Sequence, residues 1–438
     1  MELIDSKFNS ILDSIDVIDT VAHEGRISQI IGLVIEATGL EGSLGDLCSI
    51  RTKDNRTIQA EIVGFKGNKI LMMPFGEIMG ISPGSPVSVN SQPMNIPVGD
   101  QLLGRIIDGM GNPIDGKGPI TGTKSQPVYN VPPDSLDRKR ITEVMSTGIR
   151  SIDGFLTLGK GQRIGIFSGS GIGKSVLLGM ISRFTSAEVN VIALIGERGR
   201  EVREFIERDL GPEGLKRSVV IVATSDQSAM VRIKGSLIAT AIAEHFRDEG
   251  KDVMFMMDSL TRVAMAQREI GLAIGEPPTT KGFTPSVFSF LPKLLERTGT
   301  GKRGSITGLY AVLLEGDDMD DPIGDTARSI LDGHIILSRK LSNKGHYPAV
   351  DVLDSVSRLF SEIADKNHIK RTRELIELLS EYREAEDMIS IGAYSEGSNP
   401  KVDRAIQFKS QINKILRQDI NEPSQFDETL NSLYESLD

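Results

Sequence analysis

Residues 165–175, GIFSGSGIGKS, constrain the fold of this chain more than any other segment. An apolar run at 162–167 feeds a glycine-rich turn, then Lys174-Ser175, then the helix-forming stretch VLLGMISRF. Strand, glycine turn and helix in that order predict a phosphate-binding loop. Glycines let successive backbone N–H groups converge on anionic oxygens. The helix that follows points the positive end of its dipole at the same spot. The pattern therefore predicts a nucleoside triphosphate cradle formed by Ser168, Gly169, Ser170, Gly171, Ile172, Gly173, Lys174, Ser175 and Val176. Lys174 would meet the β- and γ-phosphates, and the Ser175 hydroxyl would ligate Mg2+. Ser168 stands where the pattern has glycine, and it is small enough to keep the turn. A chance glycine-rich turn is the bland alternative, and it does not explain the ordered strand, Lys-Ser pair and helix.

The 438 residues allow two or three domains. A net charge of −10 argues against broad nucleic-acid binding, which needs a basic face. Cys48 is the sole cysteine, so no intrachain disulfide can form and a reducing compartment is expected. Neither a membrane-spanning run nor a signal-peptide core is visible in the sequence. The expectation is a cytoplasmic protein whose membrane contacts are peripheral.

Four regions differ in pattern. Residues 1–20 place Leu3, Ile4, Phe8, Ile11, Leu12, Ile15 and Ile18 at helical spacing, with Glu2, Asp5, Asp13, Asp16 and Asp19 opposite. This is either a helix packed on its own domain or an exposed docking helix. Residues 21–93 hold short β-like runs split by Gly, Pro, Asn and Asp, which predicts a small N-terminal β-barrel. Residues 94–360 open Gly/Pro-rich and then alternate β-rich and helical stretches. The β-rich runs are RIGIFSG, VNVIALIGE, SVVIVATS, DVMFMMDS, ITGLYAVLLEG and GHIILSR. That alternation predicts a multidomain α/β chain whose central parallel sheet carries helices on both faces. Residues 361–438 are charged and helical in pattern, and predict a C-terminal helical domain. LSNKGHY, before the Tyr-Pro pair, reads as loop, and His346 has no metal-site company.

Triphosphate hydrolysis needs a cradle, a metal, a polarised water and neutralisation of the transferring group. Asp258 ends the apolar run DVMFMMDS and is placed to support Mg2+ through water, although a strand-end Asp is often only a helix cap. Glu197 ends VNVIALIGE and could polarise the attacking water. Arg198 follows it and could touch the γ-phosphate, or the two could simply form an exposed salt-bridged turn.

GERGREVREF, MDSLTRVAMAQREIGLAIGEPPTTKGFTPSVFSFLPKLLERTG, LLEGDDMDDPIGDTARSILDGHIILSRKL and HYPAVDVLDSVSRL together resemble the ATPases of flagellar and type III protein export. Those are relatives of the catalytic subunits of rotary F-type and V-type ATP synthases. The resemblance covers nearly the whole chain from about residue 22. It implies a RecA-like P-loop core, ATP as substrate and Mg2+ as cofactor. Lys174 and Ser175 then match the phosphate and Mg2+ residues, Glu197 the general base, and Arg198 a γ-phosphate contact. Asp258 matches the acid ending the second nucleotide-binding strand, Tyr347 the aromatic residue stacked on adenine, and Arg358 the arginine finger of a neighbouring subunit.

Without the resemblance, Tyr347 reads as a packing residue and Arg358 as a surface residue. With it, one chain carries both base and finger, and copies complete each other's sites in a homohexamer. The resemblance also implies a stator-like regulator at the N-terminal helix and a coiled-coil stalk in the ring pore. The stalk would lie near Asp317, Asp318, Asp320 and Asp321, unless these form only a solvated acidic turn. Export chaperone–substrate complexes and a membrane export gate are the remaining implied partners. The leading expectation is a Mg-ATP-hydrolysing motor of flagellar protein export, acting at the cytoplasmic side of the gate. An injectisome ATPase or a rotary synthase subunit is the near alternative. A non-catalytic subunit would lack a carboxylate such as Glu197. A hexameric RNA translocase would want an aromatic-rich basic platform, whereas residues 1–93 hold only Phe8, Phe65 and Phe75.

Overall fold

The computed structural model describes residues 24–90, 94–314, 316, 318 and 320–437. The docking stripe expected over residues 1–20 lies outside the described residues, as does Asp317 of the acidic loop. The chain divides into two compact units after Met94.

The first unit is a closed barrel. Its strands are β1 (Glu24–Ile31), β2 (Val34–Thr38), β3 (Leu47–Arg51), β4 (Thr57–Lys66), β5 (Lys69–Pro74) and β6 (Pro86–Asn90). They close in the order β1-β2-β5-β4-β3-β6, all antiparallel, as the short runs and frequent turns predict. The run ISQIIGLVIEA, continuous in hydropathy, is two strands. Gly32 makes the turn at φ 57°, a conformation that other residues rarely adopt. Ile27, Ile35, Cys48, Ile50, Ile62, Met72 and Val87 fill the interior. Burial pushes the Cys48 thiol up to about 12, which leaves it unreactive.

The second unit is built on a sheet. Its strands are β7 (Arg105–Asp108), β8 (Arg163–Ser168), β9 (Val189–Ile195), β10 (Ser218–Ala223), β11 (Asp252–Asp258), β12 (Ser305–Leu313), β13 (Gly333–Leu337) and β14 (Val350–Ser357). Side by side the order is β14-β13-β8-β12-β11-β9-β10-β7. Every pair is parallel except β13 with β14. The six apolar runs named above are β8 to β13 in turn. Two strands have no counterpart among those runs. β7 is four residues inside the Gly/Pro-rich stretch, and β14 alternates apolar residues with Asp351, Asp354, Ser355 and Ser357.

Helices α1 (Lys174–Phe184), α2 (Ala229–Asp248), α3 (Leu260–Ala273) and α4 (Pro285–Glu296) belong to this unit. α2 is buried along most of its length and packs on β9, β10 and β11. Its Glu244 meets Arg297 in a bidentate ion pair at 2.8 and 2.7 Å, with both side chains out of solvent. The C-terminal residues form α5 (Lys366–Ser390), α6 (Pro400–Leu416) and α7 (Phe426–Glu435). Leu375, Leu379, Ala405, Ile412, Leu416 and Leu433 join these helices to the same apolar core as the sheet. Part of the expected LSNKGHY loop is helical, in a single short turn at Arg339–Asn343. Among the described residues no helix is long and apolar enough to cross a membrane.

Candidate functional site

In open parallel sheets, ligands collect beyond the carboxyl ends of the strands. Here the ends of β8, β9 and β11 converge. β8 stops at Ser168 and the loop runs to α1, which begins at Lys174. Gly171 and Gly173 sit at φ 76° and 93°, so their place in the loop requires glycine. Ile172 is buried and anchors the loop from below, and Val176 is half-buried against the core. The Ser170 carbonyl accepts from Arg339 at 3.3 Å. The Ser168 backbone is tied down by Leu314 N–H at 3.0 Å, while its hydroxyl is buried without a partner. Serine at this position leaves the strand–loop–helix layout intact.

Lys174, the first residue of α1, leaves the loop beneath two carboxylates. Its ammonium is hydrogen-bonded to Asp258 and lies 3.7 Å from Glu197. Asp258 is the last residue of β11 and is buried. The helix-cap reading does not describe it: α3 is capped instead by the Ser259 hydroxyl, which accepts from Arg262 N–H. Glu197 lies two residues past β9, which brings its carboxylate to the same edge. Burial pushes the Glu197 carboxyl up to about 7, and the Asp258 charge adds to the shift against the opposing pull of Lys174. Glu201, on the short helix Gly199–Glu204, was not singled out from the sequence. It accepts a hydrogen bond from Glu197, which holds its own carboxyl below the usual range. Its signal was present, since GERGRE sets a second acid one helical turn after the first.

Arg198 is exposed and pairs with Glu201 at 3.0 Å rather than with Glu197, so Glu197 and Arg198 do not form the exposed salt-bridged turn. Tyr347 precedes β14 at the loop side of the sheet. A Cβ built on Gly173 would lie 3.6 Å from its ring, and its hydroxyl meets Ser342 Oγ at 2.9 Å. The ring is about half exposed, at 47%. Arg358 follows β14 at the opposite edge. There its backbone N–H donates to Asp332 at 3.0 Å and its guanidinium to the Arg328 carbonyl at 3.0 Å. The site therefore assembles Lys174, Ser175, Glu197, Asp258 and Tyr347 around one loop and leaves Arg358 exposed elsewhere.

In the acidic loop, Asp321 caps the helix Pro322–Ile330 by accepting from Ile323 and Gly324 N–H. Asp318 pairs with Lys281 at 3.1 Å, and Asp320 is exposed.

The donor set suits Mg2+. A hard cation that keeps several waters needs one or two oxygen ligands and the substrate phosphates, and the Ser175 hydroxyl with the Asp258 carboxylate offers that. Among the described residues no cluster of three or more His, Cys, Asp or Glu side chains forms a dedicated metal cage.

Three family models match the chain. The nucleotide-binding domain of the ATP synthase alpha/beta family matches residues 148–357, and its beta-barrel domain matches 27–88. The T3SS EscN ATPase C-terminal domain matches 364–435. The chain is 54% identical over 429 residues to the flagellum-specific ATP synthase of Bacillus subtilis (strain 168), covering 98% of each. It is 49% identical over 410 residues to the type 3 secretion system ATPase of Xanthomonas euvesicatoria, covering 93% of each. Among solved structures it is similar to the assembled ATPase EscN of the enteropathogenic E. coli type III secretion system. The TM-score is 0.89 and the identity 43%, over 94% of this chain and 100% of that one. EscN in complex with its central stalk EscO gives a TM-score of 0.87 at 42% identity, with the same coverage. With its barrel, its P-loop sheet and its C-terminal helices each matched, the chain belongs to the flagellar and type III secretion ATPases of the ATP synthase alpha/beta family.

Proposed function

We propose that this chain hydrolyses Mg-ATP in a homohexameric ring and drives flagellar type III protein export from the cytoplasmic face of a membrane gate. One observation carries the reading. Lys174, Glu197 and Asp258 converge at the carboxyl edge of the sheet, while Arg358 is held exposed at the other edge. A single copy has the cradle and the base and cannot bring its own finger to them.

In this mechanism the loop N–H groups and Lys174 hold the β- and γ-phosphates. Mg2+, bound to Ser175 and supported through water by Asp258, would neutralise phosphate charge when present. Glu197 takes a proton from the attacking water, and a carboxyl that titrates near 7 is poised for that work. Tyr347 stacks on the adenine. Arg198 turns from Glu201 to the γ-phosphate. Arg358 of the neighbouring copy neutralises the charge that develops during transfer.

The assembled ATPase EscN and its complex with a central stalk support the reading of a hexamer with a stalk in its pore. Asp318, Asp320 and Asp321, with Asp317, are the proposed contact. A stator-like regulator on residues 1–20, chaperone–substrate complexes and the export gate complete the proposed partners. The identity to flagellar relatives favours a flagellum over an injectisome. The test is the ATPase rate per chain against protein concentration. It is expected to rise steeply for wild type and stay low for Arg358→Ala. Equal rates in the two proteins would remove the shared-site reading.

A further inference from the structure

A cavity of about 790 Å³ lies between β13, β14 and the C-terminal helices α5 and α6. It adjoins the start of the phosphate loop at Ser168 and Gly169 and extends away from it. Residues 170–176, Glu197, Asp258 and Tyr347 are not among its lining residues. The segment His346–Tyr347 forms part of the partition, closed by the Gln418 N–H bond to the Tyr347 carbonyl at 3.0 Å. A volume of this size is in the range of small-molecule pockets.

The walls are chemically mixed. Leu337, Val352, Leu379 and Leu416 supply apolar surface. Arg383 is neutralised by Asp351 and Asp354, and Lys344 by Glu386 at 2.7 Å. Lys409 and Arg417 also line the cavity, and neither has a carboxylate partner among the described residues. Lys409 is half-buried with its ammonium 4.4 Å from the centre of the Tyr382 ring. Burial draws its pKa down against the opposing pull of the Glu386 and Asp351 charges, with Lys344 and Arg383 adding to the fall. Two further polar atoms on the wall are buried without any partner, Ser168 Oγ and His346 Nε2. Burial, with Arg417 and Lys409 nearby, pushes His346 down to about 4, so the ring is neutral at pH 7. Its other nitrogen is engaged by the Leu416 carbonyl, which leaves Nε2 as an acceptor. Orphaned buried polar atoms are uncommon in folded proteins and call for an explanation.

We infer that this cavity is a second ligand site, built for a small organic anion that carries a hydroxyl on an apolar body. The anionic group would pair with Lys409 and Arg417. The hydroxyl would donate to His346 Nε2, and the apolar body would lie on the leucine and valine wall. A protein segment with an acidic side chain is the competing occupant.

The test uses the full-length protein saturated with MgADP, so that the nucleotide site is filled. The probe is 6-hydroxy-2-naphthoate, titrated by calorimetry. Binding of one molecule per chain is expected. Removing the charge (2-naphthol) or the hydroxyl (2-naphthoate) should each weaken binding about tenfold, the size of one charge-assisted or buried hydrogen bond. Lys409→Gln should weaken the probe likewise and Lys409→Arg restore it, with folding checked by melting temperature. Probe binding to the nucleotide-free protein that is lost in the MgADP-saturated protein would overturn the inference. So would equal binding of 2-naphthol, or unchanged affinity in Lys409→Gln. Absence of probe binding, with an acidic peptide binding instead and losing affinity in Lys409→Gln, would reassign the cavity to a protein partner and overturn the small-ligand proposal. ATPase activity lost in Arg358→Ala and normal in Lys409→Gln would separate this inference from the hydrolytic one.

Discussion

Glu197 lies 3.7 Å from the ammonium of Lys174, the same ammonium that Asp258 holds. One cation thus serves two largely buried carboxylates, and burial keeps the Glu197 proton on toward neutrality. That pairing sets the first two expectations.

Glu197→Gln should abolish turnover and keep ATP binding. It should also raise stability. The folded-state pKa of about 7 lies above the ordinary 4.5, so the folded protein holds a proton that the unfolded chain gives up between those values. Stability from this group is therefore fully present below about pH 4.5 and is lost as pH rises to 7. The glutamine variant keeps it, and at pH 8 should gain about 1–3 kcal/mol over wild type without nucleotide. Urea melts at pH 8 and pH 5 measure it. A gain that does not shrink at pH 5 would refute the assignment. By the same sign, wild-type turnover should fall as pH drops below about 7.

Lys174→Met leaves the buried Asp258 carboxylate without its cation. Breaking such a pair costs about 3–5 kcal/mol when both groups are deep, and about half that is expected here because Glu197 takes up a proton in response. The melting temperature should drop at pH 8 and recover partly at pH 6, and ATP binding should be lost at both.

Arg358→Ala should reduce turnover about 10³-fold, the lower range for arginine fingers. Mixing it with Glu197→Gln gives a sharper result. Each variant alone is inactive, yet a pocket formed by the Arg358→Ala chain and the finger of a Glu197→Gln neighbour is intact. Random co-assembly should restore about a quarter of wild-type turnover, as head-to-tail contacts dictate. An inactive mixture, with hexamers confirmed by mass, would refute shared sites.

Tyr347→Ala should raise KM for ATP about tenfold and change kcat little, since base stacking is worth about 1–3 kcal/mol. Tyr347→Phe should bind ATP like wild type, because the hydroxyl is engaged by Ser342 rather than aimed at the loop. Steady-state kinetics of both variants check this. A large kcat effect would point to a different role for the ring.

The six strands β8 to β13 were readable because each carries a short apolar run, and β9 to β11 are buried on both faces almost throughout. The phosphate loop was readable because glycine, lysine and serine have fixed offsets there. β14 is not legible as a strand, since a bulge between Asp351 and Val356 breaks the period-2 alternation of VDVLDSVS and an edge strand tolerates its Asp and Ser. The ion pair of Glu244 and Arg297 was equally hidden. The two residues are 53 positions apart, and nothing local in either neighbourhood marks a buried charge. Glu201 lay in plain view and was passed over. Its tie to Glu197 depends on where β9 releases the chain, which composition does not convey.

The antiparallel edge strand has a mechanical corollary. β14 is eight residues long but bulged: Val350 and Ser357 pair with Leu337 and Gly333, so its ends lie about 13 Å apart at about 3.3 Å per residue of the partner strand. Tyr347 leads into one tip and Arg358 leaves the other. On the proposed reading, a base stacking on Tyr347 at the first tip would press on this strand, and Arg358 at the second would feel the shift. In a closed ring, the news that one chamber has filled would then reach the adjoining chamber on a single side, giving the cycle a sense of rotation.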